Sequence, residues 1–192
     1  MNPGSLLNTL SGDEPNLGDV WVWYEFQRAL VGEETSRVLA ALGAGTGPTQ
    51  SRYLGKTREE LEADFAFQVN ELGSAAAMLM LASAEAAMRV DFVERVGQKK
   101  KDPVSRRLRE IHRRRKERIR LEEDILDTWV SKAAEPDVKA AVSAFKGVLS
   151  YRNWLAHGRY WKPKLGRPAG YDPVDVFDVC RQLLTATAYK AV

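Results

Sequence analysis

With 192 residues, 44% of them hydrophobic and 29% charged, the chain is long enough to bury one substantial core and short for two domains. No stretch approaches the roughly 18 consecutive apolar residues of a membrane span, and Met1 is followed by Asn2, Pro3 and Gly4 instead of a basic patch and an apolar run. A soluble, cytoplasmic protein with no membrane partner is expected; its single cysteine, Cys180, and two histidines, His112 and His157, exclude an intrachain disulfide and a zinc-spaced Cys/His cluster, so chemistry without cofactor or metal is expected too.

Residues 1–18, rich in Gly, Pro, Asn and Ser without periodicity, read as a flexible tail ahead of one helical domain over 19–192. From residue 19 to about 42, the continuation of Trp21, Trp23, Tyr24 and Phe26 into Leu30, Val38 and Leu42 fits a helix better than a strand. The four aromatics are expected in the core or in a dimer contact. Gly43, Gly45, Gly47, Pro48 and Gly55 mark a loop, so 19–56 forms an N-terminal helix and loop and 57–192 the core bundle.

Thr57-Arg58-Glu59-Glu60 has the spacing of a capping box, which predicts a helix start. Leu61, Phe65, Val69 (or Phe67), Leu72, Ala76, Leu79 and Met80 follow at three- and four-residue steps, and no proline intervenes before Pro103. One helix is therefore predicted to about Val96, with Gly73 as the place for a bend. Pro103 suits the first turn of the next helix, where its missing N–H costs nothing.

That helix carries the basic run. Residues 99–120 hold twelve Lys/Arg against three Asp/Glu, a charge of +9 in a chain whose formal total is +3. The run fits either a solvated helix or an RNA-binding face, with Arg113, Arg114, Arg115 and Lys116 as candidate contacts, and His112 within it is expected to be exposed. Leu121 to Trp129 restarts an amphipathic helix with acids in its first turn. Pro136 opens the next, with Val138, Ala141, Val142, Phe145, Val148, Leu149 and Leu155 on its apolar side and Gly158 as its stop. After a Pro/Gly-rich loop, Pro173 opens the last helix, where Val176, Val179, Leu183 and Leu184 face inward and Cys180 serves packing rather than nucleophilic attack. With no repeat and no alternating strand, the class is all-α.

The chemistry concentrates in Tyr151-Arg152-Asn153-Trp154-Leu155-Ala156-His157-Gly158. At about 100° per residue, Arg152, Asn153, Ala156 and His157 share one side of a helix, so a guanidinium, an amide and an imidazole gather on one face. Imidazole can act as general base or acid, and a guanidinium fork suits a phosphate and the charge that grows on it during phosphoryl transfer. RNA supplies its own nucleophile, the 2′-hydroxyl, so such a site needs no metal.

Arg152, Asn153 and His157 match Arg, a polar residue, three further residues and His, the pattern of the HEPN superfamily, and the Leu-Ala-His-Gly ending resembles the version in HEPN-like bacterial nucleases. The resemblance implies an all-α bundle with two long central helices and additional shorter ones. It also implies a metal-independent endoribonuclease, a toxin or phage-defence component whose antitoxin is a candidate partner. Two copies of the motif meeting in a homodimer would supply one His157 as base and another as acid; Arg152 and His157 would be catalytic and Asn153 orienting. Such domains often carry an acid on an earlier long helix facing the motif, and Glu85, in the small-residue stretch around Ala82–Ala87, is the candidate here, unless it is only an exposed helix acid.

Other readings of the same residues remain. His157 and Arg152 also fit cations placed at a helix C-terminus. Arg159, Tyr160, Trp161, Lys162 and Lys164 combine charge and aromatic faces as single-stranded RNA binders do, although Trp161 equally fits packing on the bundle. A catalytically inactive HEPN-type module that binds RNA or a protein is the alternative function. A DNA-binding regulator finds no short helix–turn–helix spacing in support.

Overall fold

The computed structural model describes residues 11–48, 50–116, 118–160 and 171–187. Residues 1–10 of the expected tail, and Trp161, Lys162 and Lys164, lie outside the described residues. Six α-helices and no strand are found among the described residues, so the fold is all-α.

Helix α1 spans Leu17–Gly43, starting two residues earlier than the aromatic run suggests. Asn16 caps it, its Oδ1 accepting from the amides of Gly18 at 2.7 Å and Asp19 at 3.4 Å. The last residues assigned to the tail are not loose: Leu17 is buried and the Ser83 hydroxyl donates to the Pro15 carbonyl at 2.6 Å. Of the four aromatics only Tyr24 is buried. Trp21 stacks on Phe177 at 4.5 Å between centroids, whereas Trp23 and Phe26, with Val22 and Leu30, are exposed.

The glycine-rich segment is not wholly irregular. A 3-10 turn at Ser51–Tyr53 buries Tyr53, which joins Val38, Leu61 and Phe65 in a small second core and donates its hydroxyl to Glu34 at 3.1 Å. Helix α2, Arg58–Gly97, begins at the predicted capping box, with both reciprocal bonds present: Glu60 N–H to Thr57 Oγ1 at 3.2 Å and Thr57 N–H to Glu60 Oε2 at 2.8 Å. Along α2, Leu61, Phe65, Ala76 and Met80 are buried as their spacing predicts, but Phe67 and Leu79 face outward. The helix is continuous through Gly73. The role of this glycine is close packing: a Cβ there would meet Cγ of Pro173 at 3.2 Å.

Helix α3, Pro103–Arg115, is capped by Asp102 and has Pro103 in its first turn. His112 within it is half-buried rather than exposed, its ring 6.1 Å from that of Phe92. Leu121–Leu126 forms a π-helical turn that runs into α4, Asp127–Lys132, and α5 spans Pro136–Ala156 and α6 Pro173–Ala186, both opened by proline. The 40-residue α2 is the axis, packing on α1, α3, α5, α6 and the π-helical turn. Phe145, Met80, Leu81, Met88, Ile125, Leu126, Leu183 and Leu184 are fully enclosed around it. Burial of each such side chain favours folding by about 1.5–3 kcal/mol. No described helix is long and apolar enough to cross a membrane.

Candidate functional site

The motif closes α5. Its first polar residue, Arg152, emerges one residue after Tyr151, which is buried and rests between Trp154 and Tyr171 with ring centroids 5.7 and 5.6 Å away. Burial pushes the Tyr151 hydroxyl above its ordinary pKa, so it stays protonated as an anchor. With Tyr151 turned inward, the helical period turns Arg152 toward Glu85 on α2.

Arg152 Nη2 donates to Glu85 Oε2 at 3.1 Å, and Arg152 Nη1 to the side-chain Oδ1 of Asn153 at 3.2 Å. Thus three of the four residues singled out for catalysis form one hydrogen-bonded group, with the carboxylate on the earlier long helix and the guanidinium and amide on the later one. Glu85 is the shielded member, its side chain 18% exposed against 35% for Arg152. The other Glu85 oxygen, Oε1, accepts from Arg89 Nε at 3.1 Å and Nη2 at 2.9 Å. With two guanidinium partners, this carboxylate serves as a clamp more readily than as a free base. Arg152 Nε is buried with no hydrogen-bond partner among the described residues.

His157 is held differently. Helix α5 ends in a Schellman arrangement: the Arg159 amide donates to the Trp154 carbonyl at 3.0 Å and the Gly158 amide to that of Leu155 at 3.2 Å, with Gly158 at φ 79°. His157 is the capping residue, its own amide bonded to the Asn153 carbonyl at 3.1 Å and its side chain exposed. The imidazole is therefore exposed at the C-terminus of α5, on a backbone that the helix cap fixes.

Arg159 also has positive φ, 59°, and pairs with Glu71 through two bonds of 2.8 and 2.7 Å. This guanidinium, proposed from the sequence to bind RNA, is occupied by a carboxylate that it draws below the usual range. Tyr160 beside it is 83% exposed. Glu71 and Arg89, which sequence reasoning missed, join Glu85 as α2 residues reaching toward the motif or its acid. Glu85 to Arg89 is an ordinary four-residue helix spacing, so nothing in the sequence sets Arg89 apart.

The basic run lies elsewhere. Helix α3 packs on α2, α4 and the π-helical turn rather than on α5, and Arg113, Arg114, Arg115 and Lys116 are exposed at its end. Arg115 pairs with the buried Asp124 at 3.2 Å. Cys180 is buried, and burial pushes its thiol far above its ordinary pKa, which suits packing and not nucleophilic attack. No group of three His, Cys, Asp or Glu side chains is arranged to hold a metal among the described residues.

Comparison with family models, with curated proteins and with solved structures found no match for this chain.

Proposed function

We propose that the protein is a HEPN-like, metal-independent endoribonuclease whose working unit is a homodimer. The observation that carries this reading is the Glu85–Arg152–Asn153 group at the end of α5, with the exposed His157 capping the same helix. A guanidinium held by a shielded carboxylate is oriented before any substrate arrives, and an imidazole at a solvent-facing helix end is accessible to a phosphodiester.

In the proposed reaction one His157 takes the proton of a ribose 2′-hydroxyl, and the O2′–phosphorus bond forms as the bond to the 5′-oxygen breaks. The leaving 5′-oxygen receives a proton from His157 of a second copy, giving a 2′,3′-cyclic phosphate and a 5′-hydroxyl. Arg152 stabilises the extra negative charge on the phosphorus oxygens, and Asn153 steadies Arg152. A toxin or phage-defence role, with an antitoxin as partner, is the biological setting proposed for this chemistry. The test is cleavage of single-stranded RNA in EDTA: wild type cuts, while His157→Ala and Arg152→Ala fall by at least about 100-fold. Equal cleavage by all three proteins removes the motif from the reaction.

The second reading, a catalytically inactive module that binds RNA, draws on the exposed cations at the end of α3, away from the motif. It predicts salt-sensitive RNA binding, weakened by neutralising Arg113 and Arg114, with no product.

A further inference from the structure

Glu85 faces two arginines, and the excess is the informative part. A helix-surface pair four residues apart is ordinarily neutral. Here one carboxylate is divided between two guanidinium groups, Arg89 on Oε1 and Arg152 on Oε2, so the group keeps one net positive charge. The next acid on α2, Asp91, is buried and turned to Arg95, which bonds both of its oxygens. Exposure follows the same order: the Glu85 side chain is 18% exposed, Arg152 35% and Arg89 45%. An approaching anion therefore meets the cations before the carboxylate. Arg89 also holds Glu85 with only Nε and Nη2. Its remaining nitrogen, Nη1, makes no hydrogen bond among the described residues and keeps its donors for another oxygen.

We infer that Arg89 is a second phosphate-binding residue of the motif site, taking an RNA phosphate beside the one bound by Arg152. The inference rests on the ribonuclease reading for the identity of the polyanion. Glu85 acquires a second duty in this arrangement: it sets the spacing of two guanidinium groups and limits their mutual repulsion. Neutral glutamine at position 89 would remove one phosphate contact, and lysine would keep the charge while losing the fork.

The experiment is binding of a fluorescent single-stranded RNA, followed by anisotropy across a salt series, in a His157→Ala background that leaves the RNA intact. Arg89→Gln is expected to weaken binding about tenfold at physiological salt and to make the salt slope shallower by about 1. Arg89→Lys recovers most of both. Circular dichroism and thermal melting confirm that each variant is folded, and Arg89→Gln with unchanged affinity and slope overturns the assignment. Cleavage by the protein without substitutions separates the two readings. If it cuts RNA while Arg89→Gln binds normally, only the Arg89 assignment falls. If it leaves RNA uncut while Arg89→Gln still lowers affinity and slope, the ribonuclease reading falls and the phosphate site stands. Absence of both cutting and binding removes both.

Discussion

Helix α2 carries two acid–arginine pairs of identical spacing less than two turns apart, Glu85–Arg89 and Asp91–Arg95, and the fold treats them in opposite ways. Around Arg95 the network is closed. Its Nε bonds both oxygens of Asp91 at 2.8 and 2.7 Å, its Nη1 meets Asp102 and Ser105, and its guanidinium lies 4.5 Å over the Trp129 ring. Two acids serve one arginine, which is 12% exposed. Around Glu85 two arginines serve one acid, both arginines reach solvent, and Arg152 Nε lacks a partner among the described residues. A closed network with surplus acid ties α2 to the start of α3 and to α4. An open one with surplus cation suits a ligand that is negatively charged.

Within the closed network the two carboxyls shift in opposite directions. Burial pushes Asp91 above its ordinary pKa despite Arg95. Burial also acts upward on Asp102, but the Ser105 hydroxyl and amide, with Arg95, outweigh it and hold Asp102 below its ordinary value. The closed network is thus bound to the folded state in both charge and geometry.

The largest expected effect comes from breaking the closed side. Arg95→Ala leaves Asp91 buried without its partner and is expected to cost about 3–5 kcal/mol in urea unfolding. A loss below about 1 kcal/mol would mean that the two networks are energetically alike. On the open side, Arg152→Ala is expected to reduce RNA cleavage by at least about 100-fold, roughly 2.7 kcal/mol of transition-state stabilisation, while unfolding free energy changes by only about 1 kcal/mol. A large stability loss without a kinetic effect would reverse the roles assigned to the two networks.

A smaller effect sharpens the contrast from a third acid–arginine cluster. Glu34, bonded first of all by Arg37 and also by Tyr53 and Arg52, is drawn down from 4.5 to about 2. Its carboxylate therefore contributes stability that is present above about pH 4.5 and lost as pH falls toward 2. Glu34→Gln should flatten the stability curve in that window and leave neutral-pH RNA cleavage unaltered. An unchanged acid limb, followed by tryptophan fluorescence, would show that other carboxylates govern acid unfolding.

Much of the frame was legible because it is local. Thr57 with Glu60, Pro103, Pro136, Pro173 and Gly158 signal helix ends through backbone groups a few residues away, and each marks an end in the structure. Glu85 was legible by contrast, as the one acid among alanines. What escaped depends on a buried acid near in sequence or on partners distant in it. The turn at Leu121–Leu126 is π-helical where Asp124 is buried, paired with Arg115 and accepting from the Arg120 amide, while the Thr128 hydroxyl bonds back to the Asp124 carbonyl. Tyr53 is held by Glu34, Arg159 by Glu71 and Tyr151 by the ring of Tyr171, none of which periodicity exposes. The exposure of Trp23 and Phe26 was equally hidden, since composition cannot say which side of a helix rich in apolar residues turns outward.

The contact between Gly73 and Pro173 has a bearing on ancestry. One hundred residues apart, a missing side chain in the middle of α2 receives the ring that starts α6. A larger residue at the first position needs the proline ring at the second to give way by a few tenths of an ångström, so the two sites are expected to change together across descent. Joint retention of the motif, the glycine and the proline would therefore be a sharper mark of common origin than the motif alone.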